Sequence, residues 1–350
     1  PAPAAPFLLM DRQVRLGTGA QSQFEHFIRR INDASGLQAA AQIEIVFDPT
    51  YQKLVMHQVD VVREGQRLPR LDARLPRLLR RETQLERQII DGRMTASIVL
   101  DDVRVGDRIE WSYTLEGANP VFAGRYVANA FVLANAAPVA QWQLRLLAPA
   151  DRRIAHRVGG PEIKVEETVA DGWRETRVSR QGIPQWRPDP TWPPDVYLRD
   201  QIEFSEFTDW SEVAAWAADL FATTGSSSSE SLKRLAGEIQ ARHPGTEDRL
   251  RAALDFVQRE VRYFGTEVGP YTHRPAPVDA VLRQRFGDCK DKSALLVGLL
   301  GLMGIEGTPV LVSQSYRGAT AQRLPSPLAF DHAIAQVRVG DQTLWRDATC

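Results

Sequence analysis

Residues 286–293 read FGDCKDKS, and the apolar run ALLVGLLGLMG follows directly at 294–304. Asp288 suits a helix N-cap, and Asp291, three residues on, has the capping-box spacing, with Asp where Glu is more usual. Leu295, Leu296, Leu299, Leu300 and Met303 then form one apolar face, and Gly304 stands where a left-handed C-terminal cap belongs. Cys289, one of only two cysteines in the chain, therefore falls in the first turn of a buried helix. There the helix dipole and free backbone donors favour the thiolate, and Lys290 and Lys292 add positive potential. Such a cysteine becomes a nucleophile when a base, itself oriented by a third group, lies within reach. Without those partners it is a small hydrophobe filling space under a helix.

The partners are sought in FDHAIAQVRVGDQTLWRDATC at 330–350, which has the pattern of a β-hairpin around Gly340 and Asp341. With those two residues as the loop, Val339 faces Gln342, His332 faces Thr349 and Asp347 faces Ile334. His332 and Asp347 are then diagonal neighbours on one face, roughly 5–8 Å apart at their β-carbons. A loop of odd length would put them on opposite faces. Ala333, Ala335, Val337 and Val339 take the buried face, Asp331 points away from His332, and Cys350 lies on the face opposite Asp347, which argues against a Cys289–Cys350 redox pair. Cys289, His332 and Asp347 thus make one coherent nucleophile, base and orienting carboxylate. The other histidines carry less: His26, His57 and His156 lie in the N-terminal region, His243 in a polar loop, and His273 in PYTHRPAP, where it either lines a cleft or decorates a loop, the second being favoured.

The rest of the chain divides by period. From about 39 to 180 the sequence alternates as half-buried strands do: Ile109, Trp111, Tyr113 and Leu115 interleave with Arg108, Glu110, Ser112 and Thr114. QIEIVF, LVMHQVDVV and WQLRLL repeat the pattern with turn signals between them, as in an antiparallel sandwich. FEHFIRRI at 24–31 has helical spacing yet feeds into strand-like sequence, and both assignments stay open. IPQWRPDPTWPPD at 183–195 carries five prolines and two tryptophans and reads as a linker. Beyond it the period turns helical: Thr208 or Asp209 caps a helix carrying Trp210, Val213, Trp216 and Leu220, and two more amphipathic helices follow at about 230–242 and 246–263. The expected architecture is α+β: an antiparallel β-sandwich over 1–182, a linker over 183–204, and an α+β domain over 205–350.

Bulk properties exclude several functions. The 350 residues are 43% hydrophobic and 25% charged with a formal net charge of -1, so no basic excess points to nucleic acid. The longest apolar run is glycine-interrupted and too short to span a bilayer. Two cysteines cannot make a zinc site by spacing, no acidic loop has calcium-ligand spacing, and no cofactor or metal is expected. The opening PAPAAP resembles the residues after a removed secretory signal, which points to a periplasmic or otherwise exported protein.

GDCKDKSALLVGLL, FDHAIAQV and LWRDAT, in that order, resemble the core of the bacterial transglutaminase-like superfamily, a papain-like thiol fold with a Cys-His-Asp triad. Together with VRYFGTEVGPYTHRPAPVDAVLRQRFGDCKDK the resemblance covers about 205–350. YQKLVMHQVDVVREGQ, LDDVRVGDRIEWSYTLEG and ANPVFAG are similar to the uncharacterised β-rich domain that commonly precedes this core in exported bacterial proteins. The resemblance places the nucleophile on Cys289, the base on His332 and the carboxylate on Asp347. It implies an oxyanion donor in the Cys289 amide, aided by Gln284 or Tyr263. Where family members often read Asp-Pro-Thr, this chain reads Asp-Ala-Thr at 347–349 and ends one residue later, as a chain cut short of further strands or domains would. The implied chemistry is thiol-dependent acyl transfer on a protein or peptide substrate through a thioester, with hydrolysis favoured over transamidation. The competing expectation is a catalytically idle binding or scaffold module of the cell envelope.

Overall fold

The computed structural model of the chain describes residues 5–17, 21–72, 76–82, 84–131, 137–160, 162–185, 191, 200–226 and 229–350. It has the expected α+β class and resolves into two compact units, 1–81 with 93–206, and 82–92 with 207–350.

The first unit is built on an eight-stranded sheet. Its strands run in the order Lys164–Ala170, Trp173–Ile183, Val139–Pro149, Phe7–Leu16, Gln21–Arg30, Arg108–Glu116, Lys53–Arg63, Gln66–Pro69. All neighbours are antiparallel except Phe7–Leu16 with Val139–Pro149. Two three-stranded sheets cover it. One is centred on Met94–Val99 and shares a core with Ile109, Trp111, Tyr113 and Leu115; the other is centred on Gln201–Ser205 and shares a core with Val14, Leu16, Leu144 and Leu146. The alternation in Arg108–Glu116 is therefore the signature of a strand burying one face.

FEHFIRRI is strand, within Gln21–Arg30. It is paired on both sides, and Phe27 stacks on Trp111 with ring centroids 4.9 Å apart. Glu25, on the same face as Phe27, is buried too and held by Arg12 at 2.6 Å. Phe24 and Ile28, half-buried on the opposite face, add apolar residues at the other parity, and the two sets together mimic helical spacing. Most of the 183–204 segment read as a linker lies outside the described residues. Its described end, Gln201–Phe204, is not linker: it belongs to the fully buried central strand of the second small sheet. The proline run stops at Pro194, short of this strand.

Among the described residues of the second unit, three helices and a short sheet pack around the helix Cys289–Leu302, and a fourth helix, Trp210–Ala222, stands outside that core. Asp209 caps Trp210–Ala222 by accepting from the Glu212 amide at 2.9 Å, and Glu230–Arg242, Thr246–Glu260 and Val278–Gln284 follow. Leu295, Leu296, Leu299 and Leu300 have no exposed surface, packed with Leu232, Val257, Val281, Ala335 and Val337. Cys289–Leu302 is buried on every side over most of its length, not on one face, because it is the central helix of the unit. Against it lies a sheet ordered Gly307–Val312, His332–Val339, Gln342–Arg346. Ser293 ties helix to sheet, its Oγ donating to the Ala333 carbonyl at 3.0 Å.

One strand of this unit comes from the first half of the sequence. Ile89–Ile90 pairs in parallel with Gly265–Thr266, with the Gly265 and Glu267 amides donating to the Gln88 and Ile90 carbonyls at 2.8 Å each. Among the described residues, no helix is long and apolar enough to cross a membrane.

Candidate active site

The start of the cysteine helix forms as its sequence dictates. Asp288 accepts from the Lys290 and Asp291 amides, and Asp291 returns a bond by accepting from the Asp288 amide at 3.2 Å, closing the capping box. Gly287 permits this: a Cβ there would stand 2.7 Å from the Asp291 Cβ. Asp291 also accepts from the Ala276 amide at 2.7 Å, fastening the preceding loop to the helix. Burial, reinforced by the charge of Asp288, pushes the Asp291 carboxyl upward.

The hairpin has the register that a two-residue loop requires. Val339 pairs with Gln342 and Ala335 with Arg346, and Gly340 turns the chain at φ +56°. The ladder stops there, but the diagonal is kept: His332 Nε2 and Asp347 Oδ2 are 2.8 Å apart. A carboxylate only accepts, so Nε2 carries the proton and Nδ1 is left as the basic nitrogen. Asp347 Oδ1 accepts from both the amide and the hydroxyl of Thr349, at 2.9 and 2.7 Å. Burial pushes the Asp347 carboxyl up, but the bonds from Thr349 and His332 outweigh it and hold the group below the usual carboxylate range. Gln258 anchors the backbone by donating to the Asp347 carbonyl at 2.8 Å. Asp331 is turned elsewhere, accepting from the Gln314 and Ser315 amides.

Cys289 and His332 line one cleft of about 310 Å³. The Ala333 amide donates to the Cys289 sulfur, which sets the thiol at the head of the histidine strand. Tyr263 lines the same cleft. Its strand, Arg262–Tyr263, pairs in parallel with Phe286–Gly287 just before the cysteine. Burial, and then the negative charge that Cys289 carries once ionised, push the Tyr263 phenol upward, so it stays a donor. Gln284 is not brought to the site: it ends the helix Val278–Gln284, exposed, with its amide donating to the Phe286 carbonyl at 3.0 Å.

The electrostatics correct one expectation. Burial, followed by the neighbouring Asp288 carboxylate, pushes the Cys289 thiol up to about 12, against the opposing pull of Lys290 and the Ala333 amide. The lysines are engaged elsewhere. Lys290 Nζ pairs with Asp288 and stands 4.0 Å from Glu267, and Lys292 Nζ, fully buried, donates to the Val261 carbonyl at 2.7 Å. The resting sulfur is therefore a thiol. Cys289 and Cys350 are both free.

Sequence reasoning missed part of the cleft. Of the two readings of His273 the less favoured one holds: it lines the cleft wall, edge-on to Trp216 at 5.6 Å, and burial and then the charge of Lys290 pull it down to about 4. Gln84, Arg87 and Ile89 line the cleft from the strand-bearing segment 82–92, and Glu267 adds a carboxyl that burial pushes upward. No local pattern marks these residues. Among the described residues, no cluster of His, Cys, Asp or Glu could hold a metal ion.

A family model described as a domain of unknown function with solved structure, DUF3857, matches residues 17–186. No curated protein matches. Among solved structures, a "putative protease" from Parabacteroides distasonis superposes on all of this chain and 68% of its own, with TM-score 0.81 and 14% identity. That likeness establishes the fold of the whole chain. A "putative cysteine protease" from Cytophaga hutchinsonii matches at TM-score 0.30 and 14% identity over 64% of this chain and 71% of its own. The periplasmic domain of TgpA from Pseudomonas aeruginosa matches at 0.26 and 13% over 83% and 88%. Scores this low carry no argument.

Proposed function

We propose that the second unit is a cysteine-nucleophile acyl transferase acting on peptide or carboxamide bonds, with hydrolysis as its main outcome. The observation that carries the reading is the 2.8 Å His332–Asp347 bond on the wall of the cleft that holds Cys289. The protease description attached to the Parabacteroides structure is compatible with it.

Because the resting sulfur is protonated, the reaction begins with proton transfer. His332 Nδ1 takes the thiol proton as the sulfur adds to the substrate carbonyl, and Asp347 stabilises the imidazolium through Nε2. The oxyanion falls near the Cys289 amide, which the capping carboxylates leave unused, and near the Tyr263 hydroxyl. His332 returns the proton to the departing amine as the C–N bond breaks, leaving a thioester on Cys289. Water, deprotonated by His332, then releases the acid and restores the thiol; a primary amine in place of water gives a new amide. Water reaches the site, since Cys289 is partly exposed.

The test is to incubate the protein with mixed peptides, with and without a primary amine, and to read the products by mass spectrometry. Hydrolysed peptides lost in Cys289→Ala are the expected result, and amine adducts would mark transamidation. No product under either condition overturns the reading in favour of a binding module.

The raised thiol also sets a pH dependence. A folded-state proton affinity above that of a free thiol means that the thiolate fraction climbs throughout the alkaline range. In a Cys350→Ser background, alkylation of Cys289 by iodoacetamide should therefore accelerate about tenfold per pH unit from pH 7 to 10. A rate that levels off below pH 7 would reveal a preformed thiolate–imidazolium pair and refute the neutral-thiol assignment.

A further inference from the structure

A second cavity adjoins the cleft. It has a volume of about 710 Å³ and is walled by the helix Trp210–Ala222, the cysteine helix and the strand Gly307–Val312. Its described lining includes no charged side chain. Ala217, Phe221, Leu311 and Phe330 line both the cavity and the cleft of Cys289 and His332, so the two spaces share a wall. The room exists because Trp210–Ala222 presents Ala214, Ala217 and Ala218 there, opposite Ala294. At one side Trp210 rests edge-on against Phe330 with ring centroids 5.6 Å apart, still partly open to solvent.

The strand Gly307–Val312 is the edge of its sheet, which invites pairing with an extended peptide. Pro309 weakens that option. The Arg338 amide donates to the Glu306 carbonyl, and the register that follows turns residues 307, 309 and 311 toward the free edge. Pro309 thus removes a donor from the edge itself. An occupant gains more here from burying apolar side chains than from a backbone ladder.

We propose that this cavity is the specificity subsite of the cleft, taking the large aliphatic or aromatic side chains that flank the bond presented to Cys289. The assignment rests on the acyl-transfer reading for its orientation, and it commits to a peptide rather than a free acyl chain. The peptide follows from the acyl-transfer reading, and its side chains suit the cavity because Leu311 and Phe330 line both the cleft of the thiol and this uncharged space.

The test has a binding arm and a turnover arm. In Cys289→Ala protein, fluorescein-labelled, N-acetylated pentapeptides that differ only by Phe, Leu, Asn or Asp at one scanned position are titrated by anisotropy. At one position Phe and Leu peptides should bind about tenfold or more tighter than Asn and Asp peptides. Ala218→Glu, at an exposed position on the cavity wall, should abolish that preference, with Ala214→Glu as the second variant should Ala218→Glu fail to fold. Equal binding of all four peptides, or a preference that survives both glutamates, overturns the proposal. So does a long-chain fatty acid that binds where apolar peptides do not. Wild-type turnover without apolar preference sinks the subsite and leaves acyl transfer standing. Apolar preference in binding with no turnover of any peptide sinks acyl transfer instead.

Discussion

Asp347→Asn is expected to lower the rate of peptide turnover by about 10⁴-fold, although it removes a single charge and no volume. The reason lies in how the two carboxylate oxygens are used. Oδ1 accepts two hydrogen bonds from Thr349 and Oδ2 accepts one from His332. An asparagine has one acceptor and one donor. Two Thr349 donors hold the amide oxygen, so the NH₂ group turns to His332 and forces Nε2 to accept. The proton then sits on Nδ1, the nitrogen that must take it from the thiol. Steady-state kinetics on a cleaved peptide measures the loss. Heteronuclear NMR of the imidazole nitrogens separates the cause from a folding defect, because the protonated nitrogen should switch from Nε2 to Nδ1. A variant that retains more than a tenth of the activity removes Asp347 from the orienting role.

The second large effect concerns the segment 82–92. A fragment of residues 207–350 should melt about 10–20 °C below the same fragment joined to residues 82–92 by a flexible linker. Excision takes away two backbone hydrogen bonds and the partner strand of Gly265–Thr266. It also uncovers the surface that nearly buried Ile89 covers beside Gly265 and Asp288. At about 0.5–1.5 kcal/mol per hydrogen bond and about 1.5–3 kcal/mol for the isoleucine, the loss is roughly 3–6 kcal/mol. That is a large share of the about 5–15 kcal/mol that a domain has. Differential scanning calorimetry of both fragments gives the answer, and equal melting temperatures would show the strand to be dispensable.

The contrast between these two features shows what a sequence encodes locally. The His332–Asp347 pair was legible because a hairpin is a local object: Gly340 and Asp341 fix the register and parity fixes the face. The helix at Cys289 was legible for the same reason, its cap and first turn lying within four residues. The neutral state of Cys289 was not, because it depends on burial and on where the lysine side chains go. Lys290 folds back on Asp288 and Lys292 enters the core, and the sequence alone reads both as charges near a thiol. The Gln284 expectation failed on a helix end, since Val278–Gln284 stops there and its last side chain turns to the Phe286 carbonyl. Ile89–Ile90 left no trace, as two residues show no period and their partner lies far along the chain.

That distance has a consequence during synthesis. Ile89 emerges from the ribosome long before Gly265, its pairing partner. At about 5–20 residues per second the intervening chain takes roughly 10–35 s to appear. Throughout that interval an apolar strand with unmet backbone donors and acceptors is held in a nascent chain whose first unit is still gaining its last strand, Gln201–Ser205. The stretch 82–92 thus stays without its partner strand until Gly265 is made, and the unit that holds Cys289 is completed only after that.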